Sequence, residues 1–141
     1  MDAMSDHQTL LQTALAARGC QIGTLHVLED GALKLKAHIG LPPQVVDVVM
    51  TVPVGKGMAG LAAERQKPVQ TCNLQTDTTG DIRPGAKAVP VQASVAVPMI
   101  LDGTLRGVLG FARTDYHEWS DDELAGLAQT ATETAQALAA G

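Results

Sequence analysis

The sequence predicts an α+β fold, a single domain over residues 1–141 with one mainly antiparallel sheet and its terminal helices packed on one face. Three observations carry that prediction. Asp30-Gly31 and Asp102-Gly103 are hairpin turn signals, each set between two apolar runs. Helical periodicity dominates both ends of the chain, and no series of βα repeats lies between them. A chain of 141 residues, 45% hydrophobic, is long enough to bury one sizeable core and too apolar for disorder.

The elements follow in order. Ser5 and Gln8 fit a capping box opening a helix through Arg18, with Leu10, Leu11, Ala14 and Leu15 on its apolar face and Gly19 as its stop. Residues 20–28 read as a strand. The strand after Asp30-Gly31 alternates, with Leu33, Leu35, Ala37 and Ile39 on one face and Lys34, Lys36 and His38 on the other, so one face is expected buried and one wet. Gly40-Leu41-Pro42-Pro43 breaks it and can launch a short helix bearing Val45, Val46, Val48 and Val49, although runs of valine also suit a strand. Val52-Pro53-Val54 is extended, Gly55 to Gly60 leads into a helix to about Gln66, and Val69–Asn73 is a strand. Residues 75–90 are rich in Thr, Asp, Gly and Pro, the composition of a functional loop or lid. Val91–Ile100 and Thr104–Arg113 form the second hairpin. Ser120 and Glu123 cap a last helix, Trp119 can staple onto Leu124, and Leu124, Leu127, Ala131, Ala135 and Leu138 share one face.

Composition excludes several functions. With one Trp, one Tyr and one Phe there is no aromatic platform for single-stranded nucleic acid, and a net charge of −5 with scattered basic residues argues against duplex binding. Two cysteines make no disulfide framework and lack zinc-ligand spacing. No apolar run approaches the roughly 20 residues of a membrane span, and the first residues carry no leader pattern, so a cytoplasmic location without membrane or nucleic-acid partners is expected.

Three segments resemble the GAF domain family. They are Val54-Gly55-Lys56-Gly57-Met58-Ala59-Gly60-Leu61-Ala62 with Lys67-Pro68-Val69; Ser94-Val95-Ala96-Val97-Pro98-Met99 with Asp102-Gly103 and Gly107-Val108-Leu109; and Trp119-Ser120-Asp121-Asp122-Glu123-Leu124 with the alanine-rich helix after it. The likeness implies a GAF/PAS-like sheet with helices on one side and a loop-roofed pocket on the other, a small ligand, and dimerisation through the terminal helices. A small sensor is expected, standalone or part of a longer signalling protein, with a small anion or polar metabolite as the favoured ligand, no cofactor and no catalytic residue assigned.

The pocket candidates are Gly57, Met58, Cys72, Asn73, Asp81, Arg83, Lys87 and Ser94. Gly55-x-Gly57-x-x-Gly60 matches a dinucleotide fingerprint but lacks the βαβ setting, so it reads better as a tight turn into a helix whose first amides face the pocket. Cys72 lies where a strand meets the long loop; it lines the pocket or is a small buried hydrophobe. Cys20 is expected to be structural. Arg83 and Lys87, the cations of that loop, are partners for an anionic group, or solvated charges held by Asp77 and Asp81. Ser94 is not in a nucleophile elbow and is expected to offer a hydroxyl. The four histidines do not cluster into a metal site.

Two other functions compete. One branch of the family reduces free methionine-R-sulfoxide with loop cysteines; its reactive cysteine aligns near Lys87, its acidic ligand residue aligns with Ser94, and residues 73–141 contain no cysteine. Cys72 would be the remaining thiol of such an enzyme. The other is an interaction or dimerisation module whose pocket is filled by Met50, Met58 and Met99.

Overall fold

Why the chain turns where it does is visible from the first helix. The computed structural model describes residues 3–71, 93–114 and 117–140. Helix α1 (Ala3–Arg18) opens before Ser5, so a Ser5–Gln8 box does not start it. Gln8 is spent elsewhere, donating its side-chain amide to the His38 carbonyl at 3.2 Å. The helix ends at Gly19, whose φ of +68° is left-handed. The Cys20 N–H donates to the Leu15 carbonyl at 3.0 Å and the Gly19 N–H to Ala16 at 3.4 Å, the paired bonds of a Schellman stop.

Strands β1 (Ile22–Glu29) and β2 (Ala32–Ile39) form the first hairpin. Asp30 and Gly31 have φ of 53° and 80°, and Asp102 and Gly103 have 52° and 76°, so both hairpins close on turns left-handed at both central residues. After β2 come α2 (Pro43–Val49), β3 (Thr51–Pro53), α3 (Gly57–Arg65) and β4 (Val69–Thr71). Strands β5 (Ala93–Leu101) and β6 (Thr104–Arg113) and helix α4 (Asp121–Ala140) complete the order. The sheet runs β3-β2-β1-β6-β5-β4 with antiparallel pairings throughout.

Both faces of this sheet are covered. Helices α1 and α4 take the face that carries Leu25, Val95, Val97, Met99, Leu109 and Phe111. The opposite face carries Ile22, Leu33, Ala96, Val108 and Ala112, under Val45 of α2 and Ala62 and Ala63 of α3. A strand buried on both sides needs no alternation, which is why Val95–Met99 is apolar without a break.

One expectation is corrected here. Leu33, Leu35, Ala37 and Ile39 do not share a face. The ladder pairs Leu25 with Ala37 but His26 with Leu35, leaving Lys36 as the extra residue of a β-bulge. The bulge shifts the phase: Leu33 joins the α2/α3 side, whereas Ala37 and Ile39 pack under α1 and α4. His38, paired with Thr24, moves to the α2/α3 side with it.

Helix α4 starts as its sequence indicates. The Glu123 N–H donates to Ser120 Oγ at 3.1 Å, and Ser120 N–H donates back to Glu123 Oε1 at 3.0 Å. Trp119 is buried in the main core with Leu124 packed against that core. Leu127, Ala131 and Ala135 are buried against the sheet, while Ala125, Ala128, Ala137 and Ala139 are exposed.

Candidate functional site

Small residues on the α2/α3 face of the sheet leave a hollow. Across β1, β6 and β5 the paired rows read Ile22, Ala112, Ser94; then Thr24, Gly110, Ala96; then His26, Val108, Pro98. Gly110, Ala112, Ala96 and Ser94 project little, so the layer above cannot settle onto the sheet at that point. The result is a cavity of about 130 Å³, floored by Ile22, Thr24, His26, Ser94, Ala96, Gly110 and Ala112 and roofed by Val45, Val48 and Val49 of α2 and by Gly57, Met58 and Ala59 of α3. A dry apolar cavity of roughly 150 Å³ is enough to hold benzene, which sets the scale of an occupant.

A Cβ at Gly110 would run into Thr24 Oγ1, so the close approach of β1 and β6 at this point requires glycine or a shift of the Thr24 side chain. The wall is otherwise apolar, with Thr24, His26 and Ser94 supplying the side-chain polar groups. Among the described residues the wall includes no Lys, Arg, Asp or Glu.

His26 is the unusual member. It is 2% exposed, and its Nε2 lies 2.8 Å from the Val49 carbonyl oxygen. A carbonyl only accepts, so Nε2 carries the hydrogen and β1 is tied to the last turn of α2. Burial pushes the His26 pKa below its ordinary value of 6.5, more strongly than the bond to Val49 raises it, so the ring is neutral at pH 7. Its Nδ1 is then an acceptor, buried and without a hydrogen-bond partner.

The Gly55-x-Gly57-x-x-Gly60 segment serves packing. The Gly55 N–H donates to the Gly60 carbonyl at 2.8 Å, and a Cβ on Gly60 would strike the Pro53 carbonyl. Lys56 precedes α3 without a side-chain cap, so the first amides of α3 are not claimed by a capping side chain.

Of the expected pocket residues, Gly57, Met58 and Ser94 line this cavity. Cys72, Asn73, Asp81, Arg83 and Lys87 lie outside the described residues, as does Asp77. Cys20 is buried among the residues under α1 and α4, on the other face of the sheet from the cavity. Of the three methionines expected to plug a pocket, Met99 is fully buried under α1 and α4, Met50 is 55% exposed, and Met58 alone reaches the wall. His117 is bound to Glu123 Oε2 at 2.6 Å, remote from the cavity wall. Among the described residues no group of three His, Cys, Asp or Glu could hold a metal, and no helix is long and apolar enough to cross a membrane.

The sequence places the pocket beneath the loop of residues 75–90, which lies outside the described residues, and does not single out Thr24, His26, Gly110 or α2 as cavity wall. The available signal was Ile22-x-Thr24-x-His26, two polar residues at strand spacing in a segment that has to be covered on both sides.

Among the described residues a six-stranded antiparallel sheet lies between two pairs of helices, α1 and α4 on one face and α2 and α3 over the cavity on the other. The family model for the GAF domain matches residues 7–139, and the chain belongs to the GAF domain family. No curated protein matches the sequence. Among solved structures it is similar to the GAF domain of an Acinetobacter phosphoenolpyruvate-protein phosphotransferase, with a TM-score of 0.74 and 18% identity over 100% of this chain and 87% of that one. It is similar also to the type II free methionine-R-sulfoxide reductase of Thermoplasma acidophilum, with a TM-score of 0.72 and 20% identity over 96% and 94% of the two chains. A third is the GAF domain of the Coxiella burnetii phosphoenolpyruvate-protein phosphotransferase, at 0.69 and 18% over 98% and 95%. At these identities the likeness is one of fold.

Proposed function

We propose that this chain is a signalling GAF domain that binds a small polar metabolite in the cavity over Gly110. The observation that carries the reading is an unfilled cavity whose apolar wall is interrupted by Thr24, His26 and Ser94. Small-molecule sites have this composition, an apolar enclosure with a few placed polar groups. Occupancy would bias the position of α2 and α3 over the sheet and so alter a partner surface. Homodimerisation through α1 and α4 belongs to the same proposal, supported by the exposed small residues Ala17, Ala125, Ala128 and Ala137 on those helices.

A small anion is the less favoured ligand within this reading. It needs a counter-charge that Thr24, neutral His26 and Ser94 do not supply, and Arg83 and Lys87 are the residues proposed for that role. The reductase alternative draws on two features, Cys72 and the likeness to the Thermoplasma enzyme. It is weakened by Cys20, which lies beneath α1 and α4 and so across the sheet from the cavity. A pure interaction module is weakened by the unfilled cavity. The protein is therefore read as a binding domain and not as an enzyme.

The test is thermal unfolding against a panel of small anions, amino acids, neutral amides and alcohols, cyclic nucleotides and tetrapyrroles. A ligand specific for the folded state stabilises by about 2.7 kcal/mol at 100 times its dissociation constant. One compound class raising the melting temperature in a dose-dependent way supports the sensor. Consumption of methionine-R-sulfoxide with a thiol reductant, lost in Cys72→Ser, would establish the enzyme instead.

A further inference from the structure

Resting on the cavity reading above, we propose that α2 is the lid of the cavity, hinged along β2 and latched to β1 by the bond from His26 to the Val49 carbonyl.

The hinge comes from the path of the chain. β2 ends at Ile39, and Gly40, with a φ of +79°, turns the chain into Leu41-Pro42 and α2. Beyond the helix the Met50 carbonyl accepts from the Leu35 N–H at 2.9 Å, which returns the chain to the same strand. Both ends of α2 are therefore fixed on β2, and the helix between them reaches over β1 and β6, where Val45 packs with Ile22 and Ala112. A segment tied at both ends to one strand can swing about that strand without breaking a sheet ladder.

The hold on the far side is slight. Val45 is the buried residue of α2; Val46, Val48 and Val49 are half-buried, and Pro43, Gln44 and Asp47 are exposed. Val48 and Val49 stand over the cavity, so each lacks part of the contact a filled floor would give. The helix has seven residues, starts without a side-chain cap, and has neither an acidic residue in its first turn nor a basic one in its last. Helices shorter than about 12–15 residues are marginal on their own, so α2 depends on what it touches. Elements with few buried apolar contacts open below the free energy of global unfolding.

α3 roofs the same cavity and is built to stay. It buries Gly60, Ala62 and Ala63 and ends on a left-handed Gln66 whose N–H donates to the Ala62 carbonyl at 2.8 Å. The moving part is thus α2, and the polar contact that a swing must break is the 2.8 Å bond from His26 Nε2 to Val49. A buried hydrogen bond of ordinary strength corresponds to about tenfold in the opening equilibrium. Opening uncovers Ile22, Thr24 and Ala112 and gives a ligand its way in.

Two measurements test the lid, and neither needs a ligand. The first is native-state hydrogen exchange at pH 7, comparing the amides of Val46–Val49 with Leu25 and Leu109 of the central strands and with Ala62 and Ala63 of α3. The second is modification of a thiol introduced by Ala112→Cys, a position 7% exposed beneath Val45, using methyl methanethiosulfonate and peptide mass spectrometry. The α2 amides are expected to exchange at least about 100-fold faster than Leu25 and Leu109, with the thiol at 112 modified in step with them. His26→Leu should speed both about tenfold beyond any change at Ala62 and Ala63. Where His26→Leu does not unfold cooperatively, His26→Phe keeps the ring volume without the donor and carries the same expectation.

Exchange of α2 together with Leu25 and Leu109 overturns the lid. Fast α2 exchange with a thiol at 112 that reacts only on global unfolding overturns it too, because the helix then frays without admitting anything. Opening that ignores the loss of the His26 donor overturns the latch. These results stand apart from the binding panel: a flat panel with α2 opening as described removes the ligand site and leaves the lid.

Discussion

His26 Nε2 and the Val49 carbonyl oxygen, 2.8 Å apart, join the middle of β1 to the last turn of α2 across the edge of the cavity. The bond satisfies a helix carbonyl that has no partner within its own helix, and it does so from a residue 2% exposed. Floor and roof of the candidate site are therefore linked by one imidazole.

That imidazole makes stability depend on pH. Because burial lowers the folded-state pKa of His26 below 6.5, the unfolded chain binds more protons as the pH falls past that value. The contribution is fully present above about pH 6.5 and is lost as the pH falls toward the folded-state value. Melting temperatures of the wild type should drop between pH 7 and 5, and His26→Leu should remove that part of the slope. The His26→Leu protein should also be less stable at pH 7, by about 1–3 kcal/mol, since the Val49 carbonyl loses its partner. An unchanged slope would remove His26 from the account.

Glu123 acts in a lower window. Its carboxylate accepts from the Ser120 amide and from His117, which lowers its pKa from 4.5, so its contribution disappears only below that pH. Replacing Ser120 by Ala should cost about 1 kcal/mol in chemical denaturation at pH 7, because an amide in the first turn of α4 loses its cap. A cost near zero would mean that water replaces the hydroxyl.

Gly60→Ala tests the packing role of the glycine motif. The added methyl meets the Pro53 carbonyl, and the neighbouring Gly55 amide is already bonded to Gly60. Destabilisation of about 1–3 kcal/mol is expected without any change in ligand preference. If Gly60→Ala is as stable as the wild type, β3 and α3 are less closely apposed than described.

Phe111→Ala tests which face holds the main core. Phe111 is fully buried beneath α1 and α4, and its removal should cost about 3–5 kcal/mol in urea unfolding. A much smaller loss would place the weight of the core on the α2/α3 side.

Much of this fold was legible because its signals are local. Asp30-Gly31 and Asp102-Gly103 state their turns outright, Gly19 stops α1, and Ser120 with Glu123 starts α4. Each is settled within a few residues by backbone conformation and a nearby hydrogen bond. The face of β2 was not legible, since the bulge at Lys36 exists only in relation to the register of β1. Ser5 misled for a similar reason: α1 runs past it, and Gln8 answers to His38, 30 residues away. The candidate site was legible at Gly57, Met58 and Ser94, where the family resemblance pointed. It was not legible at Thr24, His26 and Gly110, because a hollow arises from the sizes of residues brought side by side on three different strands. No stretch of sequence contains that row.

We propose that the cavity over Gly110 is where this domain binds its ligand. Its most direct test compares wild type and Ala59→Leu in thermal unfolding with increasing amounts of the panel compound that stabilises the wild type. The account predicts a dose-dependent rise for the wild type and a flat response for a cooperatively folded Ala59→Leu. An equal rise in both proteins would contradict it, because the ligand would then bind somewhere that a leucine in the cavity roof does not reach.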